Sequence, residues 1–174
     1  MTREPDHPPQ IVVMGVSGSG KTTAGEALGA RLGLRYSDAD GFHPQANVDK
    51  MAAGHPLTDD DRWPWLDRIG EWLDSYRETG AIVSCSALRR VYRDRIRRHV
   101  PDAIFVHLAG PQLLVRERMQ HRRDHFMPAS LLQSQYDTLE QLEPDERGVI
   151  LDLAQPVPAI VDAYVKWAAG HPAS

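Results

Sequence analysis

Along this chain, short unbroken apolar runs alternate with longer stretches in which apolar residues recur every third or fourth position. Ile11-Val12-Val13-Met14, Leu34–Ser37, Ala81–Cys85, Ala103–Leu108 and Gly148–Leu153 are runs of strand length. The stretch after Thr22 carries Ala24, Leu28 and Leu32 on one helical face. The stretch after Thr58 repeats the pattern with Trp65, Leu66, Ile69, Trp72, Leu73 and Tyr76. Further helices are predicted over Gln45–Ala53, Arg89–His99, Pro111–Gln120, Pro128–Gln141 and Pro156–Ala169. Gly54-His55-Pro56, Thr79-Gly80 and Pro101-Asp102 act as breaks. Thr58 followed by Asp59-Asp60-Asp61 is a strong helix start. Strands alternating with helices predict an α/β fold with a parallel sheet covered on both faces. Gly25 and Gly29 each cost the first helix about 1 kcal/mol relative to Ala, so close packing of that helix on the sheet is expected.

The first strand runs directly into Gly15-Val16-Ser17-Gly18-Ser19-Gly20-Lys21-Thr22, which fits G-x-x-x-x-G-K-[ST] at every fixed position. Glycines let consecutive backbone N–H groups converge on one phosphate cluster. The following helix start adds free donors and the positive end of a dipole. Lys21 can reach the β- and γ-phosphates, and the Thr22 hydroxyl can ligate Mg²⁺.

Composition narrows the class. With 174 residues, 41% hydrophobic and 25% charged, the chain suits one globular domain. A net charge of −4 implies no general affinity for nucleic acid or anionic membrane. No apolar run approaches a membrane span. Residues 1–10 hold three prolines and no apolar core of a signal peptide, so they read as a tail preceding a domain over 11–170. Cys85, the single cysteine, fits a reducing compartment, and the cytosol is the expected location. Cys85 reads as a packed small hydrophobe, since phosphoryl transfer needs no thiol.

Asp38 and Asp40 follow the second strand, at the sheet end where ligands bind in open α/β folds. They suit a Mg²⁺ water shell and deprotonation of a hydroxyl, though Asp is also common in solvated turns. Asp38-Ala39-Asp40-Gly41 spells D-x-x-G, but no guanine-reading N-K-x-D accompanies it. The third strand runs into Ser84-Cys85-Ser86 without the usual metal-holding aspartate, leaving Asp38 the nearest candidate. Arg116, Arg118, Arg122, Arg123 and His125 form a basic segment that could close over a triphosphate, or simply solvate a helix. Arg89, Arg90 and Arg93 form a second basic cluster able to meet an anionic acceptor. Trp63, Trp65 and Trp72 read as core.

These residues bring the chain close to a known family. It resembles the gluconate kinases of the P-loop type, relatives of shikimate and nucleoside-monophosphate kinases. Five blocks carry the resemblance: Met14–Thr22; Asp38-Ala39-Asp40 with His43-Pro44, Asn47 and Lys50-Met51; Pro56-Leu57 with Asp59–Arg62 and Pro64-Trp65-Leu66; Cys85–Arg90 with Tyr92-Arg93-Asp94; and His125-Phe126 with Gln135–Glu140. The resemblance runs from about residue 11 to 168. Met127 departs mildly, where an aromatic residue is more usual.

The resemblance implies a three-layer sandwich with a five-stranded parallel sheet in the order 2-3-1-4-5. It also implies a substrate-binding insertion at about 41–66 and a lid at about 118–130. The implied reaction is ATP-dependent phosphorylation of D-gluconate at its 6-hydroxyl, with Mg²⁺. Gly15, Ser17, Gly18, Ser19, Gly20, Lys21, Thr22 and Thr23 would hold the nucleotide, and Thr22 and Asp38 the metal. Asp40 would take the acceptor proton, and Arg118 and Arg122 would join Lys21 in neutralising charge. Asp40, His43, Arg62, Arg89, Arg93 and His125 would hold the substrate. Dimers occur in the family, so a homodimer is expected. Another small-acceptor kinase such as shikimate kinase, or a non-catalytic ATP-binding module, would share the loop but not the middle blocks.

Overall fold

A computed structural model describes residues 7–121 and 129–172. Its centre is a parallel five-stranded sheet of β1 (Gln10–Met14), β2 (Arg35–Asp38), β3 (Ala81–Ser84), β4 (Ile104–Ala109) and β5 (Gly148–Asp152). The spatial order is β2-β3-β1-β4-β5, the order that the resemblance implies. Val12 lies between Val83 of β3 and Phe105 of β4, so β1 is central and its C-terminal end opens at the middle of the sheet edge.

Alternation along the strands explains the unbroken apolar runs, because both faces are covered. Ile11, Val13, Ile82, Val106 and Leu108 pack with Leu28, Ile160 and Tyr164 of α1 (Lys21–Leu32) and α7 (Val157–Gly170). Val12, Met14, Val83 and Phe105 pack with Leu66, Ile69, Leu73 and Ile96 of α3 (Asp59–Ser75) and α4 (Arg90–Arg97). The remaining helices are α2 (Gln45–Ala52), α5 (Gln112–Gln120) and α6 (Ala129–Thr138).

The glycines of α1 sit where the helix meets β2. A Cβ on Gly25 would fall 2.5 Å from the Tyr36 ring, and one on Gly29 would fall 2.9 Å from the Leu34 carbonyl oxygen. The start of α3 is a reciprocal cap. The Asp61 N–H donates to Thr58 Oγ1 at 3.2 Å, and the Thr58 N–H donates to Asp61 Oδ2 at 2.8 Å.

Residues 39–42 form a 3₁₀ turn capped by the Asp38 carboxylate, which accepts the Asp40 N–H at 2.9 Å. Asp38 itself is the last residue of β2, paired in register with Ser84 of β3.

Candidate active site

The loop after β1 positions an exposed helix start. Gly20 takes φ +92° immediately before α1, which carries no side-chain cap, so its first-turn donors are open to an anion. Gly18 takes φ +79°, and a Cβ there would meet Met119 of α5 at 2.6 Å. Glycine at 18 therefore serves both the turn and the helix lying across it. Lys21 Nζ donates to the carbonyl oxygens of Gly15 and Val16, both at 3.0 Å, which folds it back over the loop.

A cleft of about 320 Å³ opens beside the loop. Ser17, Lys21, Thr22, Asp38, Asp40, His43, Arg62, Trp65 and Gln135 line it, with Ser84, Cys85 and Ser86 from the end of β3. A larger open hollow of about 750 Å³ runs along the ends of β4 and β5. Of the two, the smaller one gathers the loop lysine, both turn aspartates and an arginine, which makes it the candidate site.

Electrostatics within the cleft are uneven. Burial raises the Asp40 carboxyl above its ordinary value, and the neighbouring Asp38 charge raises it further. Burial lowers the His43 imidazole, Arg62 lowers it more, and Asp40 partly opposes both. A neutral ring suits its contacts: His43 stacks on Trp65, and Asn47 Nδ2 lies 3.3 Å from His43 Nδ1, placed to donate to it. Buried Asn47 also donates to the Asp61 carbonyl at 2.9 Å, and Lys50 pairs with the Asp61 carboxylate at 2.6 Å. The Lys50 bond, followed by the Thr58 N–H, holds the Asp61 carboxyl at about 2. These contacts fasten α2 to the start of α3, and His43 and Arg62 line the same cleft.

Arg62 is held at the rim. It donates to Asp59 Oδ1 at 3.3 Å and to the Tyr92 hydroxyl oxygen at 3.2 Å, while Tyr92 donates to Asp59 Oδ1 at 2.6 Å. Arg89 donates to Asp59 Oδ2 at 2.9 Å and sits 5.5 Å from the Tyr92 ring centroid, outside the cleft lining. The Tyr92 hydroxyl, and then both guanidinium groups, lower the Asp59 carboxyl.

Other expected residues are placed elsewhere. Arg93 does not reach the cleft. It is fully buried, bonded to both carboxylate oxygens of Glu146 at 2.7 and 3.0 Å and to the Ala87 carbonyl at 2.9 Å. A buried guanidinium needs a counter-charge, and Glu146 supplies it. Ser19 turns its side chain inward, where Oγ has no hydrogen-bond partner among the described residues, and its N–H donates to the Val16 carbonyl. Arg118 is half-buried on α5, one residue before Met119. Thr23 is exposed on the first turn of α1. Arg122, Arg123, His125 and Met127 lie outside the described residues.

Three site features escaped the sequence reading. Trp65 is core but also the platform for His43. Cys85 lines the cleft, yet burial pushes its thiol up to about 12, consistent with an inert side chain. Gln135, part of the fifth resemblance block but given no role there, reaches the phosphate loop through Ser17.

A family model described as an AAA domain matches residues 11–130. A gluconokinase of Gluconobacter oxydans (strain 621H) is 48% identical over 138 residues, 78% of each chain. The thermosensitive gluconokinase of Escherichia coli (strain K12) is 44% identical over 143 residues, 80% of this chain and 76% of that one. A crystal structure of a gluconokinase from Sinorhizobium meliloti 1021 superposes with a TM-score of 0.85 at 48% identity, covering 95% and 94% of the two chains. The chain belongs to the gluconokinase family. In this gluconokinase-family fold the second and third resemblance blocks become one wall of the cleft, through Asn47, Lys50 and the capped start of α3. The fourth supplies its floor, Cys85 and Ser86.

Proposed function

We infer that this chain transfers the terminal phosphoryl group of ATP to the 6-hydroxyl of D-gluconate. The observation that carries the reading is the shared cleft, in which the phosphate loop, Asp40 and Arg62 face one volume, in a chain of the gluconokinase family. In this assignment the open N–H groups of α1 and Lys21 hold the phosphates. Asp40 accepts the proton of the acceptor hydroxyl as its oxygen bonds to the γ-phosphorus. The bond from that phosphorus to the bridging oxygen breaks, and ADP leaves. A raised carboxyl is a better base for this step. Most of the rate comes from positioning and charge neutralisation. Arg62 and His43 are assigned to the carboxylate and hydroxyls of gluconate, with Arg89 behind Arg62 through Asp59. Arg118, Arg122 and His125 are assigned to the triphosphate side and the closing segment.

The donor set fits Mg²⁺. No group of three or more His, Cys, Asp or Glu side chains converges on a metal site among the described residues. Of the groups lining the cleft, the Thr22 hydroxyl and the Asp38 carboxylate are assigned to it, and Mg²⁺ keeps several waters and binds through few protein groups plus phosphates. When bound, the ion neutralises phosphate charge. No helix among the described residues is long and apolar enough to cross a membrane. A cytosolic homodimer is the assigned state, which light scattering on the purified protein tests.

The deciding experiment is a coupled ADP-release assay with gluconate, shikimate, AMP or no acceptor. Release only with gluconate, abolished by Lys21→Met in a folded protein, is the expected result. Release with shikimate alone, or equal release without any acceptor, overturns the assignment.

A further inference from the structure

Gln135 has no task in the chemistry assigned above, yet it reaches into the same cleft. Its carboxamide meets one residue of the phosphate loop twice. The Ser17 N–H donates to Gln135 Oε1 at 2.7 Å, and Gln135 Nε2 donates to Ser17 Oγ at 3.1 Å. The two residues are 118 positions apart in sequence. A hydroxyl has one proton to give and two lone pairs to receive. With its N–H engaged and its oxygen receiving from the amide, Ser17 is left with its O–H proton to donate. Ser17 faces the side of the loop shared with Lys21 and Asp40, where phosphoryl transfer is assigned.

The helix that carries Gln135 is fixed to both walls. Leu132 is 2% exposed in the core, and the Tyr136 hydroxyl donates to the Gly110 carbonyl at 2.9 Å. Just beyond α6, the Glu140 N–H donates to the Leu88 carbonyl at 2.7 Å, and Glu140 Oε1 accepts the Arg90 N–H at 2.8 Å. Leu88 and Arg90 continue the stretch that floors the acceptor side. The amide is therefore presented to the loop by an element that the acceptor wall also holds.

We propose that Gln135 is a positioning residue for phosphoryl transfer: it orients the Ser17 hydroxyl so that its proton faces the terminal phosphate of the bound nucleotide. This rests on the kinase reading above. A neutral carboxamide is required for two reasons. A carboxylate at position 135 would accept from both Ser17 groups and turn the hydroxyl proton away from the cleft. It would also set a negative charge beside a phosphate.

The test compares the affinities of the full chain for ADP and for β,γ-imido-ATP, with Mg²⁺, by titration calorimetry. Gln135→Glu lowers the ratio of triphosphate to diphosphate affinity about tenfold or more, the size of a lost hydrogen bond to a charged group, with an unchanged melting midpoint. Ser17→Ala lowers the same ratio while keeping the backbone bond to Gln135, and so serves even if a variant at 135 fails to fold. Because the pair acts as a unit, Ser17→Ala with Gln135→Ala lowers the ratio no more than Ser17→Ala alone. A native ratio in Gln135→Glu, equal losses for both nucleotides, or additive losses in the double variant overturns the proposal. The readout needs no turnover, so a native chain that releases no ADP with gluconate would sink the kinase reading separately.

Discussion

The imidazole of His43 lies against the indole of Trp65, with 4.2 Å between ring centroids and 13° between planes. The same indole donates Nε1–H to the Ala39 carbonyl at 2.7 Å, one residue before Asp40. Trp65 therefore sets both a ring that lines the cleft and the turn that carries the proposed base. Trp65→Phe keeps an aromatic surface but leaves the buried Ala39 carbonyl without its donor, which costs about 1–3 kcal/mol. The expected outcome is that loss in urea unfolding, together with kcat/KM for gluconate lowered about tenfold or more through misplacement of Asp40. Native kcat/KM in a destabilised variant would confine Trp65 to the core.

Gly29 gives a test of the packing between α1 and β2. Helix propensity alone favours alanine there by about 1 kcal/mol. The added Cβ would fall 2.9 Å from the Leu34 carbonyl oxygen, a backbone atom whose residue also donates its N–H to Gly29 at 3.0 Å. The clash wins, and Gly29→Ala destabilises by about 1–3 kcal/mol in chemical denaturation. Gly170→Ala, where nothing lies within 4 Å of the new atom, is neutral or slightly stabilising. Equal effects at the two positions would remove close packing as the reason for Gly29.

These contrasts show what a sequence reading reaches. The loop from Gly15 to Thr22 and the five strands are legible because their signals are local: a fixed motif, and apolar runs made continuous by cover on both faces. Their order came from the family resemblance. Asp38 and Asp40 were ambiguous with a solvated turn until the cap between them and the packing of Trp65 put them in the cleft. Arg93 was misread because its partner, Glu146, is 53 residues away and nothing local distinguishes a buried arginine from its exposed neighbours. Gln135 hid for the same reason, since its hydrogen bonds lie on a distant loop.

The Arg93–Glu146 pair is a stability element, with both side chains 0% exposed. Burial pushes the Glu146 carboxyl up, but the bonds from Arg93, the Glu143 N–H and Arg97 outweigh it and hold it at about 2. A depressed carboxyl contributes its full stability above its unfolded value and loses it as pH falls toward the folded one. The native protein should therefore lose stability between roughly pH 4.5 and 2, with Asp67, also held at about 2 by Arg95 and then His99, adding to the slope. Glu146→Gln strands a buried guanidinium and should cost about 3–5 kcal/mol at neutral pH. Its stability should also depend less steeply on pH in the acid range, as measured by urea unfolding across that window. An acid slope equal to the native one would place the pair outside the linkage.

Asp40 and Asp38 lie side by side, and separating their roles needs two readouts. Asp40 is raised by burial and then by Asp38, which suits a proton acceptor. Asp38 instead spends one oxygen on the Asp40 N–H at 2.9 Å and lines the cleft together with Thr22. Asp40→Asn keeps the shape but cannot take a proton. It should lower kcat by about 10²–10⁴ while Mg²⁺–ATP affinity stays close to native. Asp38→Asn should do the reverse, weakening Mg²⁺-dependent nucleotide binding more than kcat at saturating metal. If Asp40→Asn instead loses nucleotide affinity in step with kcat, its carboxylate serves the metal's water shell. The acceptor proton would then leave by another route, because a group that only holds charge for bound phosphate cannot separate binding from the chemical step.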